Sequence, residues 1–158
     1  MTLPAYGTYI EADTYFENRL HVSVWRGATT ANKTIALIEA TQRIERLRFA
    51  GYLVEDDQEL EFLRYYDLED GPEGDEEIPD DIKIATYELA FALLDGVDPD
   101  MEFENLSIIG HTYSNVKMTR SATDTLEHIA AGIPSATAWR YLSPYLASSK
   151  TIRIQRVS

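Results

Sequence analysis

The side chains best suited to bond-making chemistry in this chain are three histidines, His21, His111 and His128, and twenty-seven carboxylates. Hydrolysis or group transfer needs a nucleophile beside a base, or two carboxylates held in different environments. The histidines fall in three separate expected elements and form no His-x-x-x-His or His-Glu-x-x-His spacing, so each reads as a surface or half-buried side chain. No Gly-x-x-x-x-Gly-Lys-Ser/Thr loop is present to cradle phosphates, and no Gly-x-Gly-x-x-Gly follows a strand. The absence of cysteine removes disulfides and thiolate metal sites together. The expectation is a chain that is not an enzyme, with no catalytic residue, no cofactor and no metal.

The carboxylates are unevenly spread. Positions 55–81 hold fourteen acidic residues against Arg64 alone, with Gly71-Pro72 and Gly74 among them. Such a density invites a test for calcium, which oxygen ligands attract. An EF-hand loop with Gly74 as its central glycine places Gly71 at the third ligand position, and with Gly71 it places Tyr66 at the first. Both alignments fail. The stretch near 55–78 is therefore expected to be an exposed acidic loop, anchored by Leu60, Phe62, Leu63, Tyr65 and Tyr66.

The net charge is −13, divided as −17 over residues 1–116 (eight basic, twenty-five acidic) and +4 over residues 117–158 (six basic, two acidic). Phosphate binding needs clustered lysine and arginine to displace counterions, so the acidic body argues against tight nucleic-acid binding. Ten tyrosines and two tryptophans lie mostly among acids, which suits interfaces better than a base-stacking platform. The last nine residues reverse the sign, with Lys150, Arg153 and Arg156 and no acid. From Thr151 to Val157 they alternate in the manner of a strand, placing Ile152 and Ile154 on one register. A pairing with a strand expected at Val116–Arg120 is the alternative use of this tail.

The elements that position these groups are mainly helical. Thr8-x-x-Glu11 is a capping box for a helix over about 9–20, and Val22–Trp25 suggests a short turn that Gly27 breaks. Thr29 or Thr30 caps a helix over about 31–48 with Leu37, Ala40, Ile44 and Leu47 inward and Arg43, Glu45 and Arg46 toward solvent. Pro79-Asp80-Asp81 opens a third helix over about 79–95, with Ile82, Ala85, Leu89, Ala92 and Leu93 as its core stripe and Gly96 as its stop. Leu106–Ile109 and Val116–Arg120 read as short strands around a turn near Ser114-Asn115. Leu126–Ala131 reads as a helical turn, and Ser135 caps a last helix carrying Trp139, Leu142 and Leu146, with Pro144 near its end. The fold class expected is mainly α: a compact bundle of about four helices, a small β element and an extended C-terminal strand-like tail. The chain divides into a helical domain over 1–149 and a tail over 150–158. It has no run of about eighteen apolar residues and no secretion signal at its start, so it is expected not to engage membranes and to be made in the cytoplasm.

The order of segments is similar to that of a phage family labelled DnaT-like single-stranded DNA-binding proteins. The resemblance rests on the opening Tyr6-Gly7-Thr8-Tyr9-Ile10-Glu11-Ala12-Asp13-Thr14-Tyr15-Phe16 and on Trp25, Ala36-Leu37, Ala40-Thr41 and Asp57-Gln58 before Phe62 and Arg64. It continues in Ile78-Pro79, Ala85-Thr86-Tyr87-Glu88-Leu89-Ala90 and Leu142-Ser143-Pro144-Tyr145-Leu146. The sequence departs where Leu63 replaces a frequent proline and where 110–135 is longer. The resemblance implies a head–tail connector of a phage virion, an adaptor that forms a ring of roughly twelve copies beneath the portal protein. Its implied partners are the portal, further copies of itself, a tail, stopper or tail-terminator protein, and double-stranded DNA that passes without tight binding. The implied location is the virion neck, at the head–tail interface. Lys150, Ile152, Arg153, Ile154 and Arg156 are then the expected portal-docking residues, joining a sheet edge as an added strand. A single-stranded DNA-binding protein or another phage assembly protein is the alternative.

Overall fold

The computed structural model describes residues 4–68, 71–98, 110–113, 116–119 and 127–147, and for 67, 68, 72 and the strands within 110–119 it describes the backbone only. Thr8 opens α1 (Tyr9–Glu17) with the expected capping box. Its hydroxyl accepts from the Glu11 amide at 3.3 Å, and the Glu11 carboxylate accepts in return from the Thr8 amide at 2.7 Å. These hydrogen bonds, the backbone amide first, hold the Glu11 carboxyl below its ordinary range. The helix stops at Asn18, earlier than its spacing predicts, because Arg19 turns inward to Glu88 and His21 adopts a φ of 60°.

α2 (Ser23–Gly27) is a single turn that buries Trp25, and Gly27 is its last residue rather than its breaker. α3 (Thr30–Ile44) is capped by the Thr29 hydroxyl, which accepts from the Asn32 amide at 3.2 Å. Leu37, Ala40 and Ile44 form its buried face as expected, joined by Ala36 and Thr41. α4 (Asp80–Leu94) follows Pro79, which sits at the cap position just outside the helix. Gly96 follows its end with a φ of 83°.

α4 is the axis of the molecule. α3 packs on one side of it, and α6 (Ala136–Leu142) packs on another. Every residue from Ala85 to Ala90 is buried, including Thr86, Tyr87 and Glu88. A helix enclosed on several sides has no solvent face to keep polar, so the single stripe read from its spacing is narrower than the surface it hides.

The largest departure from expectation lies in the acidic stretch. Instead of one long loop, it contributes to a three-stranded antiparallel sheet in the order β1-β2-β3. β1 is Tyr52–Leu53, β2 is Arg64–Leu68 and β3 is Gly71–Gly74, and Tyr65 lies opposite both Tyr52 and Gly74. The ladder uses backbone groups, and Glu73, Glu76 and Glu77 stay in water. Gly51 makes the approach possible. It has a φ of 75°, and a Cβ there would lie 2.5 Å from the Tyr65 carbonyl oxygen.

A second antiparallel pair joins β4 (Gly110–Tyr113) to β5 (Val116–Thr119). The strand expected at Leu106–Ile109 lies outside the described residues, and β5 covers the strand expected at Val116–Arg120 as far as Thr119. α5 (Glu127–Ala130) is one turn that buries Ile129, and Ser135 caps α6 by accepting from the Ala138 amide at 3.1 Å. Pro144 sits in a short 3-10 turn, Ser143–Tyr145, directly after α6. Six α-helices thus stand among the described residues against about four expected, the additional two being the single turns α2 and α5. The fold is the mainly helical bundle with a small β element that the periodicities imply. The tail over 150–158 lies outside the described residues.

Candidate functional site

The proposed docking residues Lys150, Ile152, Arg153, Ile154 and Arg156 lie outside the described residues, so the functional surfaces that can be built from contacts are elsewhere. Two buried polar clusters and the clefts beside them are the candidates.

The first cluster fastens the N-terminal segment. Tyr6 is fully buried, and its amide donates to the Thr41 hydroxyl at 3.1 Å. Its phenol donates to Oε1 of Glu45 and accepts from the Phe62 amide. Oε2 of Glu45 accepts from the Glu61 amide at 3.0 Å. Glu61 in turn holds Arg64, with Nη1 at 2.5 Å from its Oε2. The remaining donors of Arg64 go to the Ala50 carbonyl at 2.6 Å and the Gly51 carbonyl at 2.9 Å.

Arg64, which the composition singles out only as a lone cation among acids, is therefore the buried organiser of β1 and β2. A planar fork with five donors can satisfy several acceptors at once, which a lysine could not. Glu45 likewise departs from the solvent-facing position its spacing predicts: Tyr6 and Glu61 draw it into the fold, where desolvation raises its carboxyl above the usual range. A shifted carboxylate beside a second one resembles an acid–base pair. Here each oxygen of Glu45 accepts a hydrogen bond from a different segment, the Tyr6 phenol and the Glu61 amide, so the carboxylate ties these segments together.

The second cluster surrounds Glu88 on α4, which is only 2 % exposed. Nε of Arg19 stands 2.6 Å from its Oε1, and the Tyr15 hydroxyl donates to the same oxygen at 2.7 Å. Arg19 also stacks over the Phe91 ring at 5.5 Å. Burial pushes the hydroxyls of Tyr6 and Tyr15 above the ordinary tyrosine range, so both stay protonated and donate.

The two histidines whose side chains are described, His21 and His128, do not converge. His21 is exposed, and Nδ1 of His128 meets the Ile133 carbonyl at 2.8 Å within its own turn. Among the described residues, no group of three or more His, Cys, Asp or Glu side chains is placed to hold a metal ion.

Electrostatically, the described body neutralises most of its own cations. Arg19, Lys33, Arg43, Arg64 and Lys83 each face a carboxylate, from Glu88, Asp13, Glu39, Glu61 and Glu11 respectively. Of the nine lysines and arginines whose side chains are described, that leaves Arg26, Arg46, Arg48 and Arg140 without such a pair, and they do not share one helix. What this surface offers is shallow clefts with apolar floors. One, of about 490 Å³, runs along the outer face of α3 beneath Ile35, Ile38, Gln42 and Arg46. Ile35 is 61 % exposed there. Another lies between Pro4 and the segment 54–63, floored by Val54, Leu60 and Leu63.

No helix among the described residues is long and apolar enough to cross a membrane. No curated protein and no solved structure matches the chain. One family model matches residues 3–156, nearly the whole chain, and its description is "Putative DnaT-like ssDNA binding protein". The residues that build both polar clusters, from Tyr6 and Tyr15 through Arg64 to Glu88, all lie within that match, and on its extent the chain belongs to this DnaT-like family.

Proposed function

We propose that the chain is a non-enzymatic structural subunit of a phage neck, a head–tail adaptor that assembles as a ring beneath the portal and joins the tail. The observation that carries this reading is electrostatic. The chain bears a net charge of −13, and the described body pairs most of its cations internally. A lumen lined by such a surface would repel passing double-stranded DNA and let it move without adhesive contacts. Shallow apolar clefts and many exposed or half-buried aromatic residues suit contacts with neighbouring subunits and with a portal and a stopper or tail-terminator protein. The tail over 150–158, with Lys150, Ile152, Arg153, Ile154 and Arg156, would reach the portal as an added strand. The test is an image of the virion neck in which an antibody or fusion tag on this chain is located. Density at the head–tail junction is the expected result, and density elsewhere or in no particle refutes it.

The family's description favours a second reading, single-stranded DNA binding, and the +4 balance of residues 117–158 is the part of the chain that would serve it. Titration with a labelled oligonucleotide separates the two. Submicromolar binding that weakens steeply with salt would establish the second reading, since counterion release makes phosphate contacts salt-dependent. The adaptor reading expects no binding in that range.

A further inference from the structure

The cleft between Pro4 and residues 54–63 joins a second one through Pro4, Glu59 and Leu60, which line both. Together they form a groove with an apolar floor, where Val54 is 44 % exposed and Leu60 and Leu63 are half-buried. Its rim is acidic. Glu45 and Glu61 are committed to the Tyr6 and Arg64 network, whereas Glu55 and Glu59 are exposed and form no ion pair among the described residues, with Arg46 lining the same cleft as Glu59. A groove of this kind selects an extended segment that alternates aliphatic and basic side chains.

The chain contains one such segment and delivers it to this place. Leu146 bridges to Phe49, and the Ala147 amide donates to the Arg48 carbonyl at 2.9 Å. Arg48 is two residues beyond Arg46, which lines the second cleft. Eleven residues follow Ala147, and at about 3.3 Å per residue they can span roughly 36 Å when extended. Ile152 and Ile154 share one register, with Lys150 and Arg156 at either end of it.

We infer that this acidic groove is the seat of the chain's own residues 150–158, docked within the same molecule. Ile152 and Ile154 rest on Val54, Leu60 and Leu63, and the flanking cations face Glu55 and Glu59. A tether this short gives an effective concentration of about millimolar, so a weak match suffices to fill the groove in cis before another copy can. The seat stands whichever function is correct. In the adaptor reading it keeps the tail from engaging a partner until a competing surface removes it.

The chain has no cysteine, so a nitroxide attached at Asp56→Cys, an exposed position beside Glu55, is unique. With the full-length chain, the amide signals of residues 150–158 are expected to be quenched in the molecule that carries the label. They should be unaffected in an isotope-labelled chain mixed with spin-labelled, unenriched chain. Glu55→Lys with Glu59→Lys should restore the signals and make trypsin cleavage after Lys150 and Arg153 about tenfold faster. Ile152→Ser with Ile154→Ser should do the same, with circular dichroism checking that the body stays folded. Quenching in the mixed sample would show docking between copies and overturn the inference. So would the absence of quenching, or quenching that survives both pairs of substitutions, which would mean that the tail is merely nearby.

Discussion

Arg19→Met isolates what the buried carboxylate of Glu88 needs. Methionine keeps the aliphatic body of Arg19 over Phe91 and removes the charge. Glu88 is 2 % exposed, so its lost partner is not replaced by bulk water, whereas Arg19 is 31 % exposed and part of its attraction is already screened. A charge-assisted hydrogen bond contributes about 1.5–3 kcal/mol, and the stacking over Phe91 adds about 0.5–1 kcal/mol at a partly exposed site. The expected loss is therefore about 2–4 kcal/mol, which for a chain of this size lowers Tm by roughly 4–16 °C. Urea unfolding followed by circular dichroism measures it. The decisive comparison is the double variant with Glu88→Gln, in which no buried charge is left alone while the Tyr15 hydroxyl keeps an acceptor. It should recover at least about 1 kcal/mol relative to the sum of the single changes. Strict additivity, or a cost for Arg19→Met below about 0.5 kcal/mol, refutes the view that this ion pair anchors the start of the chain to α4.

Glu45→Gln tests the first cluster through pH. Burial raises the folded carboxyl above the usual range near 4.5. Its contribution to stability is therefore complete below the unfolded value and lost as pH rises through the folded one. The stability of the variant relative to the parent should increase from pH 4.5 toward 7, and a flat difference in denaturant midpoints would contradict it. Leu89→Ala, at a fully buried position on α4, should cost about 2–5 kcal/mol by urea titration. A cost below about 0.5 kcal/mol would place that face at a yielding boundary. Gly51→Ala should destabilise the chain by about 1–3 kcal/mol, because it forces a side chain into a positive-φ conformation against the Tyr65 carbonyl. Amide exchange should then show β1 and β2 opening first. Glu73→Gln, Glu76→Gln and Glu77→Gln together should change stability by no more than about ±0.5 kcal/mol per site, since all three face water.

The local signals in the chain were sufficient wherever one short stretch carries its own reason to fold. Thr8 with Glu11, Thr29 and Ser135 each mark a helix start through a side chain that satisfies an orphan amide, and each is found in that role. The spacing of Ile82, Ala85 and Leu89 placed α4, and the β-branched Val116 and Thr119 placed β5. The order of segments led to the family whose model the chain matches. Tertiary structure decided the fate of the charges. Glu45 is indistinguishable in composition from its exposed neighbours on α3, and only Tyr6, thirty-nine residues away, and Glu61 draw it inward. Glu88 sits on a face that spacing alone leaves open, until Arg19 and Tyr15 close over it from the other end of the chain. The acidic stretch became a sheet for the same reason. Its net repulsion was legible, but the pairing of its backbone depended on Arg64 reaching Ala50 and Gly51 across the fold. A side chain's charge is a property of the sequence; whether it is solvated or buried depends on partners distant in the chain, which no local window contains.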